Sequence, residues 1–166
     1  KMIRVLIADD HAVVRRGLLQ ILEDEPDLTP VGEASTAGEV LAAVRKAAMD
    51  VLVLDIAMPG GGGLEVLRQL QDIRPELPVL VLSVHAEKQY AARALKVGAA
   101  GYLTKDSAPE ELVHAIRRVA AGKKHITSSV AALLADRLEA SDRAPHDALS
   151  NREFQVMCLL ASGNAI

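Results

Sequence analysis

The sequence predicts an α/β fold, a doubly wound five-stranded parallel sheet with helices on both faces. Short apolar segments alternate with longer amphipathic ones through the first 122 residues. Three short segments, Ile3–Ala8, Val51–Asp55 and Val79–Ser83, are almost continuously apolar and rich in β-branched residues, which is typical of strands buried on both faces. Five strand–helix units in a row leave few right-handed topologies, and the strand order 2-1-3-4-5 is the natural one.

The composition fits this fold. The chain has 166 residues, of which 50% are apolar and 25% are charged, and its net charge is -3. These values indicate a globular protein with room for one domain and a fragment of another. Cys158 is the single cysteine, so no internal disulfide is expected. No apolar run approaches the ~20 residues that a bilayer requires and no leader is evident, so we expect a cytoplasmic protein.

Two weaker strands and five helices complete the predicted sheet. The weaker strands are Pro30–Ala34 and Ala100–Thr104, and the proline indicates an edge position for the first. The predicted helices are Ala12–Glu25, Thr36–Met49, Leu64–Arg74, Glu87–Val97 and Ala108–Ala121. Thr36 is expected to cap the second helix and Ser107 the last, while Gly98 suits a left-handed position after the fourth.

The composition changes after Gly122, which predicts three regions: a domain over residues 1–122, a helical linker over 123–148, and the start of a further domain over 149–166. A helix is predicted over Ser128–Ala140, followed by a polar, turn-rich stretch. Ser150 and Glu153 have the spacing of a capping box, which predicts a helix over Ser150–Ser162. Two short helices of this kind cannot bury much core alone.

Three carboxylates are expected to meet at the carboxyl ends of the first and third strands. Asp9 and Asp10 follow the first strand and Asp55 ends the third. In this strand order these strands flank the switch point, where open α/β sheets bind ligands. Two unit charges ~4 Å apart repel by about 4 kcal/mol at an effective dielectric near 20, so the cluster requires a cation. Oxygen ligands with open positions predict Mg²⁺.

Ser83 and Lys105 lie at two further strand ends, after the fourth and fifth strands. A hydroxyl and an ammonium can both contact phosphoryl oxygens, and a carboxylate can accept a phosphoryl group as the nucleophile. Taken singly, each residue has a plainer explanation, because Asp often caps turns and Lys is usually solvated. Their shared position at strand ends favours a phosphoryl-transfer site.

Four motifs together resemble a bacterial response regulator receiver domain, and the resemblance extends over residues 3–121. They are Ala-Asp-Asp-His at 8–11, Leu-Asp-Ile-Ala-Met-Pro-Gly at 54–60, Leu-Ser at 82–83 and Gly-Tyr-Leu-Thr-Lys at 101–105. The resemblance implies that a sensor histidine kinase phosphorylates Asp55 and that the protein is a signal transducer rather than an enzyme. Self-phosphorylation from small donors and autodephosphorylation would be its only chemistry.

The resemblance also implies a role for each remaining residue of the site. Mg²⁺ would be held by Asp9, Asp10, Asp55 and the backbone carbonyl of Ala57. Ser83 and Lys105 would contact the phosphoryl oxygens, and Tyr102 would be the switch aromatic. Homodimerisation is expected on phosphorylation. It would use either the face of the fourth helix, fifth strand and fifth helix, or the neighbouring face of the first and fifth helices.

The tail is similar to the opening of a LuxR-type helix-turn-helix domain, which places the protein in the NarL/FixJ class. The matching segment is Leu149–Gly163, which covers the first helix of that domain. The recognition helix that reads bases would follow Ile166. We therefore expect the full-length protein to bind DNA and to regulate transcription, and this truncated chain not to bind DNA specifically.

Several positions depart from the family pattern. Gly60–Gly63 is interpreted as a flexible turn, because no Gly-Lys-Ser/Thr follows to make a phosphate loop. Ala57 and His85 occupy positions that tune the phosphoryl lifetime in receivers, and their expected effects oppose each other. His11 is interpreted as a polar residue at a helix start rather than as a metal ligand.

Three other functions compete with this one. A haloacid-dehalogenase-like phosphatase needs a second acid two residues beyond the nucleophile, where this chain has Ala57. A flavodoxin-like flavin protein needs aromatics around the ring, but the chain has only Tyr90, Tyr102 and Phe154. A receiver that acts through protein contacts alone stays open as the alternative, although the tail favours a DNA-binding output.

Overall fold

The computed structural model describes residues 1–60, 62–84, 88–139, 150–153 and 156. Its strands are β1 (Ile3–Ala8), β2 (Leu28–Ala34), β3 (Val51–Asp55), β4 (Val79–Ser83) and β5 (Gly101–Thr104). Its helices are α1 (Ala12–Glu23), α2 (Ala37–Lys46), α3 (Gly63–Ile73), α4 (Lys88–Val97), α5 (Pro109–Ala120) and α6 (Ser128–Glu139). The strands form one parallel sheet of order β2-β1-β3-β4-β5, so the predicted fold class and strand order are confirmed.

The strand register places the carboxyl ends of the central strands side by side. Ala8 at the end of β1 pairs with Leu54 of β3, and Asp55 pairs with Leu82 of β4. Ser83 then pairs with Thr104 of β5. Because β1 lies between β2 and β3, the direction of the crossovers reverses beside β1, and the crevice between β1 and β3 opens there.

Burial of the central strands explains their uninterrupted apolar sequences. Every residue of β3 and β4 is buried. Alternate residues enter two separate core clusters, with Leu52 and Leu54 on one side of the sheet and Val51 and Val53 on the other. Such burial on both faces is what a parallel sheet covered by helices requires.

Proline 30 lies in the edge strand, as predicted, and distorts its pairing. β2 begins at Leu28, two residues earlier than predicted, because Leu28 is buried and pairs with Ile3. The register then shifts, since Val5 is opposite Pro30 whereas Leu6 is opposite Gly32. A bulge accommodates a residue that has no N–H to donate to the ladder.

The helix starts confirm one predicted cap and contradict another. The Thr36 hydroxyl accepts the Glu39 N–H at 3.3 Å, so Thr36 caps α2 as predicted. The prediction that Ser107 caps α5 is wrong, because the N-cap residue is Ala108 and no side chain caps this helix. Pro109 at the first helical position needs no N–H acceptor. The Ser107 hydroxyl lies 3.3 Å from Thr104 Oγ1 instead.

Helix ends differ from prediction by a few residues. α1 ends at Glu23 and α2 at Lys46, both earlier than predicted. The residue after α2, Ala47, is extended (φ -100°, ψ 141°), which turns the chain toward β3 and buries Met49. Gly98 has φ +127° directly after α4, in agreement with the predicted left-handed position.

The tail is described in part. α6 matches the predicted helix over Ser128–Ala140 to within one residue. In the predicted capping box, the Glu153 N–H donates to Ser150 Oγ at 3.3 Å and the Ser150 N–H donates to Glu153 Oε2 at 2.8 Å. Most of the predicted helix-turn-helix segment lies outside the described residues, as does His85. None of the helices in the described part of the chain is long and apolar enough to cross a membrane.

Candidate functional site

Three carboxylates meet where β1 and β3 end. Asp9 and Asp55 are buried, whereas Asp10 is exposed. One ligand atom from each of these residues and one from His11 lie within 4.8 Å of one another. The structure therefore brings the acids together as the strand order predicts.

The Lys105 ammonium joins the two buried acids. Its Nζ lies 2.9 Å from Asp55 Oδ2 and 2.5 Å from Asp9 Oδ2. The Lys105 backbone N–H donates to the Ser83 carbonyl at 2.8 Å, which fixes the start of the loop after β5. Only 11% of the Lys105 side chain is exposed, so these charges meet in a shielded pocket.

Burial and charge shift the pKa of both partners. Burial raises the pKa of the Asp55 carboxyl, although the Ala57 N–H and the Lys105 ammonium act to lower it. Burial acts to lower the pKa of Lys105, but its hydrogen bonds to Asp9 and Asp55 outweigh this and raise it. One ammonium thus faces several carboxylates.

The donor set fits a divalent cation. Carboxylate oxygens with one backbone carbonyl are the ligands that Mg²⁺ prefers. Asp9, Asp10, Asp55 and His11 already present atoms within a sphere of the size of a metal site. The Lys105 ammonium balances only part of the charge of the three carboxylates, and a cation would neutralise the rest.

The turn after Asp55 is built around glycines. The Ala57 N–H donates to Asp55 Oδ1 at 3.0 Å and orients the carboxylate. Gly63 approaches this turn so closely that a Cβ on it would lie 2.5 Å from the Ile56 Cα and 2.7 Å from the Asp55 carbonyl oxygen. Gly60 and Gly62 have φ of +89° and +79°. The predicted flexible turn therefore carries specific backbone requirements.

Ser83 and Tyr102 lie beyond the carboxylates, on neighbouring strands. Ser83 is fully buried at the end of β4. Tyr102 of β5 lies opposite Val81 of β4 and is buried in the core cluster that contains Tyr90 and Ala91 of α4. Ser83 thus directly follows Leu82, the strand partner of Asp55, whereas Tyr102 is in the packed layer between β5 and α4.

His11 contacts the acids more closely than the sequence indicated. It is the residue before α1, in agreement with the predicted helix-start position, but its side chain caps no N–H. Its backbone N–H donates to Asp9 Oδ1 at 2.8 Å. Its ring Nδ1 lies 2.9 Å from Asp10 Oδ1 and 3.3 Å from Asp9 Oδ1.

Arg15 is a part of the site that the sequence analysis missed. Its Nη1 donates to the Asp9 carbonyl at 2.7 Å and its Nε donates to Glu33 of β2 at 2.9 Å. One sequence signal was available, because Arg15 lies one helical turn after His11 and so lies on the same side of α1. Its partner Glu33 carried no comparable signal, since the contact depends on the fold.

The chain is similar to known proteins of one family. Residues 5–117 match the response regulator receiver domain. The chain is 40% identical to the response regulator UvrY of Escherichia coli over 167 residues, which cover 99% of this chain and 77% of UvrY.

Two solved structures are similar to the chain. A LuxR-family two-component response regulator from Aurantimonas sp. SI85-9A1 has a TM-score of 0.78 and 33% identity, covering 84% of this chain and all of that one. The RcsB response regulator of Salmonella typhimurium, solved in a study of DNA interaction, has a TM-score of 0.74 and 29% identity and covers 99% of this chain and 79% of that one. The chain belongs to the response regulator receiver family of two-component systems.

Proposed function

We propose that Asp55 accepts a phosphoryl group from a sensor histidine kinase and that this switches the receiver, which in turn controls a transcription-regulating output. One observation carries the proposal. The buried Asp55 carboxylate is held between the backbone N–H of Ala57 and the Lys105 ammonium, and the same ammonium also contacts Asp9. This arrangement orients a nucleophile and places a positive charge where phosphoryl charge would develop.

The proposed transfer is a single displacement at phosphorus. One oxygen of Asp55 forms a bond to phosphorus, and the bond from phosphorus to the nitrogen of the donor histidine breaks. The electron pair of that bond returns to the imidazole nitrogen. The Ala57 N–H holds Asp55 Oδ1 in place during this step, and Lys105 is close enough to pair with the transferred oxygens.

Mg²⁺ would be held by Asp9, Asp10, Asp55 and the Ala57 carbonyl. When bound, it would reduce the repulsion between these carboxylates and an incoming phosphoryl group. His11 restrains both acids, through its N–H to Asp9 and its ring to Asp10. Arg15 restrains the Asp9 backbone from the other side.

The proposed switch starts at Ser83 and Lys105. A phosphoryl group adds up to about two negative charges, and we expect the Ser83 hydroxyl and the Lys105 ammonium to pair with them. Movement of Ser83 toward the phosphoryl group would vacate space for Tyr102. A change from 1:99 to 99:1 requires about 5.5 kcal/mol of differential interaction, which several charge-assisted hydrogen bonds can supply.

The output assignment extends the same proposal. Residues 1–122 would form the receiver, 123–148 a linker and 149–166 the start of a DNA-binding domain. Residues 123–166 contain equal numbers of acidic and basic side chains, so they offer no net positive surface to phosphates. We expect sequence-specific DNA binding from the full-length protein as a phosphorylation-dependent homodimer, not from these 166 residues.

A phosphodonor assay tests the acceptor assignment. The chain is incubated with acetyl phosphate and Mg²⁺ and analysed by intact mass for one added phosphoryl group that is stable in acid and labile in base. Asp55→Asn is expected to remove the modification, whereas Asp72→Asn, at an exposed position of α3, should leave it unchanged. Modification of Asp55→Asn at the rate of the unaltered chain would overturn the assignment.

A further inference from the structure

The imidazole of His125 has a buried nitrogen that makes no hydrogen bond. Its Nε2 is shielded from solvent and has no hydrogen-bond partner among the residues that the structure describes. Only 12% of the side chain is exposed. Buried polar atoms are almost always paired, so this nitrogen keeps an unused capacity to bind a donor or a metal ion.

The backbone of His125 fixes the position of this ring. The His125 N–H donates to the Ala100 carbonyl at 3.0 Å, and the Tyr102 N–H donates to the His125 carbonyl at 3.3 Å. His125 thus forms a parallel bridge with Gly101 at the outer edge of β5. A Cβ on Gly101 would lie 2.9 Å from the His125 carbonyl oxygen and 3.1 Å from the His125 Cβ, so glycine is needed for this approach. A residue held in this way loses little conformational entropy when it binds a ligand.

Two side chains of α5 lie close to the His125 ring. Glu111 Oε1 is 4.0 Å from His125 Nε2. The His114 ring is edge-on to the His125 ring, with centroids 6.0 Å apart and ring planes at 74°. Glu111 and His114 are three residues apart and therefore lie on one side of the helix. Both reach solvent, since 42% of the Glu111 side chain is exposed and His114 is exposed, so both can adjust toward the buried nitrogen.

The separations of these three side chains are close to those around one metal ion. Zn²⁺ binds nitrogen and oxygen ligands at ~2.0–2.2 Å, so two ligand atoms of a tetrahedral ion lie about 3.4 Å apart. The Glu111 oxygen would have to approach His125 by only about 0.6 Å to meet this value. Two imidazoles on one such ion have centroids roughly 5 Å apart, so the His114 ring would approach by about 1 Å. Small rotations of two solvent-accessible side chains are sufficient.

The charges around His125 keep its ring in the form that binds metals. Burial lowers the pKa of the His125 imidazole, and the opposing charge of Glu111 does not reverse this, so the neutral ring is favoured. Glu111 supplies the negative charge that a cation requires. The positive charge of Arg118 acts against a cation, but its guanidinium donates to the Lys124 carbonyl at 3.0 Å and is engaged there.

We propose that Glu111, His114 and His125 bind a Zn²⁺ ion, which fastens the segment after α5 to that helix. Two imidazoles, one carboxylate and a water form a common zinc ligand set, and imidazole nitrogen favours zinc over Mg²⁺. The site lies between α5 and the outer edge of β5, whereas the carboxylate cluster lies where β1 and β3 end. It is therefore separate from the proposed phosphoacceptor site and does not depend on that function.

Zinc binding by the full 166-residue chain without an affinity tag tests the proposal. The chain competes with a chromophoric zinc chelator, with excess Mg²⁺ present to occupy the carboxylate cluster. His114→Ala and Glu111→Gln each remove one ligand and should weaken zinc affinity by about tenfold or more. Glu110→Gln makes the same change in charge at an exposed position of α5, and its zinc affinity should stay within about twofold. Equal zinc affinity in the unaltered chain and all three variants would overturn the proposal, as would an absence of zinc binding.

Amide hydrogen exchange then locates the ion. Zn²⁺ at ten times its dissociation constant should slow exchange at the amides of His125 and Tyr102 by about tenfold, because it stabilises the paired state. His114→Ala should lose this protection at the same zinc concentration. The Ala57 amide, whose hydrogen bond goes to Asp55, should not respond. Slower exchange at Ala57 without a change at His125 would place the ion at the carboxylate cluster and overturn the proposal.

Discussion

The Lys105 ammonium lies 2.9 Å from Asp55 Oδ2 and also contacts Asp9, so one side chain bridges two acids from different strands. These acids are also two of the proposed Mg²⁺ ligands. Lys105 and a divalent cation thus lower the electrostatic energy of the same carboxylates. In the resting chain the lysine partly does what a metal ion would do.

Removing the Lys105 charge should make the thermal stability of the chain more dependent on Mg²⁺. In Lys105→Met, two buried carboxylates lose their common cation, so the melting temperature without Mg²⁺ should fall. Mg²⁺ should then raise the melting temperature more than in the unaltered chain, as for an affinity gain of about tenfold, or about 1.4 kcal/mol. Thermal unfolding with and without Mg²⁺ measures both effects. Lys96→Met, on the exposed side of α4, should change neither, and an equal Mg²⁺ response in Lys105→Met would contradict the shared role.

Arg15 should affect Mg²⁺ affinity without contacting the ion. Arg15 connects the Asp9 carbonyl to Glu33 of β2, so Arg15→Ala should loosen the loop after β1 that carries Asp9 and Asp10. We expect a loss of about 1–2 kcal/mol in Mg²⁺ binding, typical of a lost charged hydrogen bond. Isothermal titration measures this, with Arg16→Ala as the control on the exposed side of α1. Equal Mg²⁺ affinity in both variants would show that Arg15 does not position the loop.

Two glycine substitutions should have opposite effects on stability. Gly63→Ala would place a Cβ 2.5 Å from the Ile56 backbone, which forces apart the turn that follows Asp55. It should lower the free energy of unfolding by about 2 kcal/mol or more, as overpacking against backbone does. Gly38→Ala, in α2, meets no atom within 4 Å and should add about 0.4–1 kcal/mol. Urea unfolding of the two variants checks the contrast, and a stabilised Gly63→Ala would refute the steric argument.

The sequence predicted the elements that follow regular patterns, but few of the individual tertiary contacts. Apolar strands, amphipathic helices and acids at strand ends follow local rules, so the sheet order and the meeting of Asp9 with Asp55 were accessible. The pairing of Arg15 with Glu33 was not, since the two residues come together only when α1 packs on β2. The steric role of Gly63 was also hidden, because a glycine in a sequence does not show what lies against its missing Cβ. The docking of His125 on β5 depends on an edge whose free partner only the fold reveals.

Thr36 and Ser107, the two residues that the sequence predicts as helix caps, should differ in their effect on stability. Thr36 accepts the Glu39 N–H, so Thr36→Ala should lower the free energy of unfolding by about 1 kcal/mol. Ser107 caps no helix, and Ser107→Ala loses only a long contact with Thr104, so its effect should stay within about 0.5 kcal/mol. Denaturant midpoints at constant m-value provide the measurement. A larger loss in Ser107→Ala than in Thr36→Ala would favour the cap that was predicted from the sequence.

Acid should weaken the pairing of His125 with β5, in which the Tyr102 N–H donates to the His125 carbonyl at 3.3 Å. Burial lowers the pKa of this imidazole, and nearby His114 and Arg118 lower it further, whereas Glu111 acts in the opposite direction. Its Nε2 lies 4.0 Å from Glu111 Oε1, and its ring is edge-on to that of His114, with centroids 6.0 Å apart. The paired state of His125 thus favours the neutral imidazole, and loss of the pairing takes up a proton.

The sign of the pH dependence follows from this lowered pKa. The pairing of His125 with β5 is at full strength above the ordinary histidine pKa of about 6.5. It weakens as the pH falls from there toward the lowered pKa, by up to about tenfold per pH unit. Amide exchange at Tyr102, corrected for the intrinsic rate at each pH, measures the change. His125→Phe keeps a ring of similar size without a titrating nitrogen and should abolish it, whereas His114→Ala, at an exposed position of α5, should retain it. Protection of the Tyr102 amide that stays constant or rises on acidification in the unaltered chain would show that His125 protonation does not control this pairing.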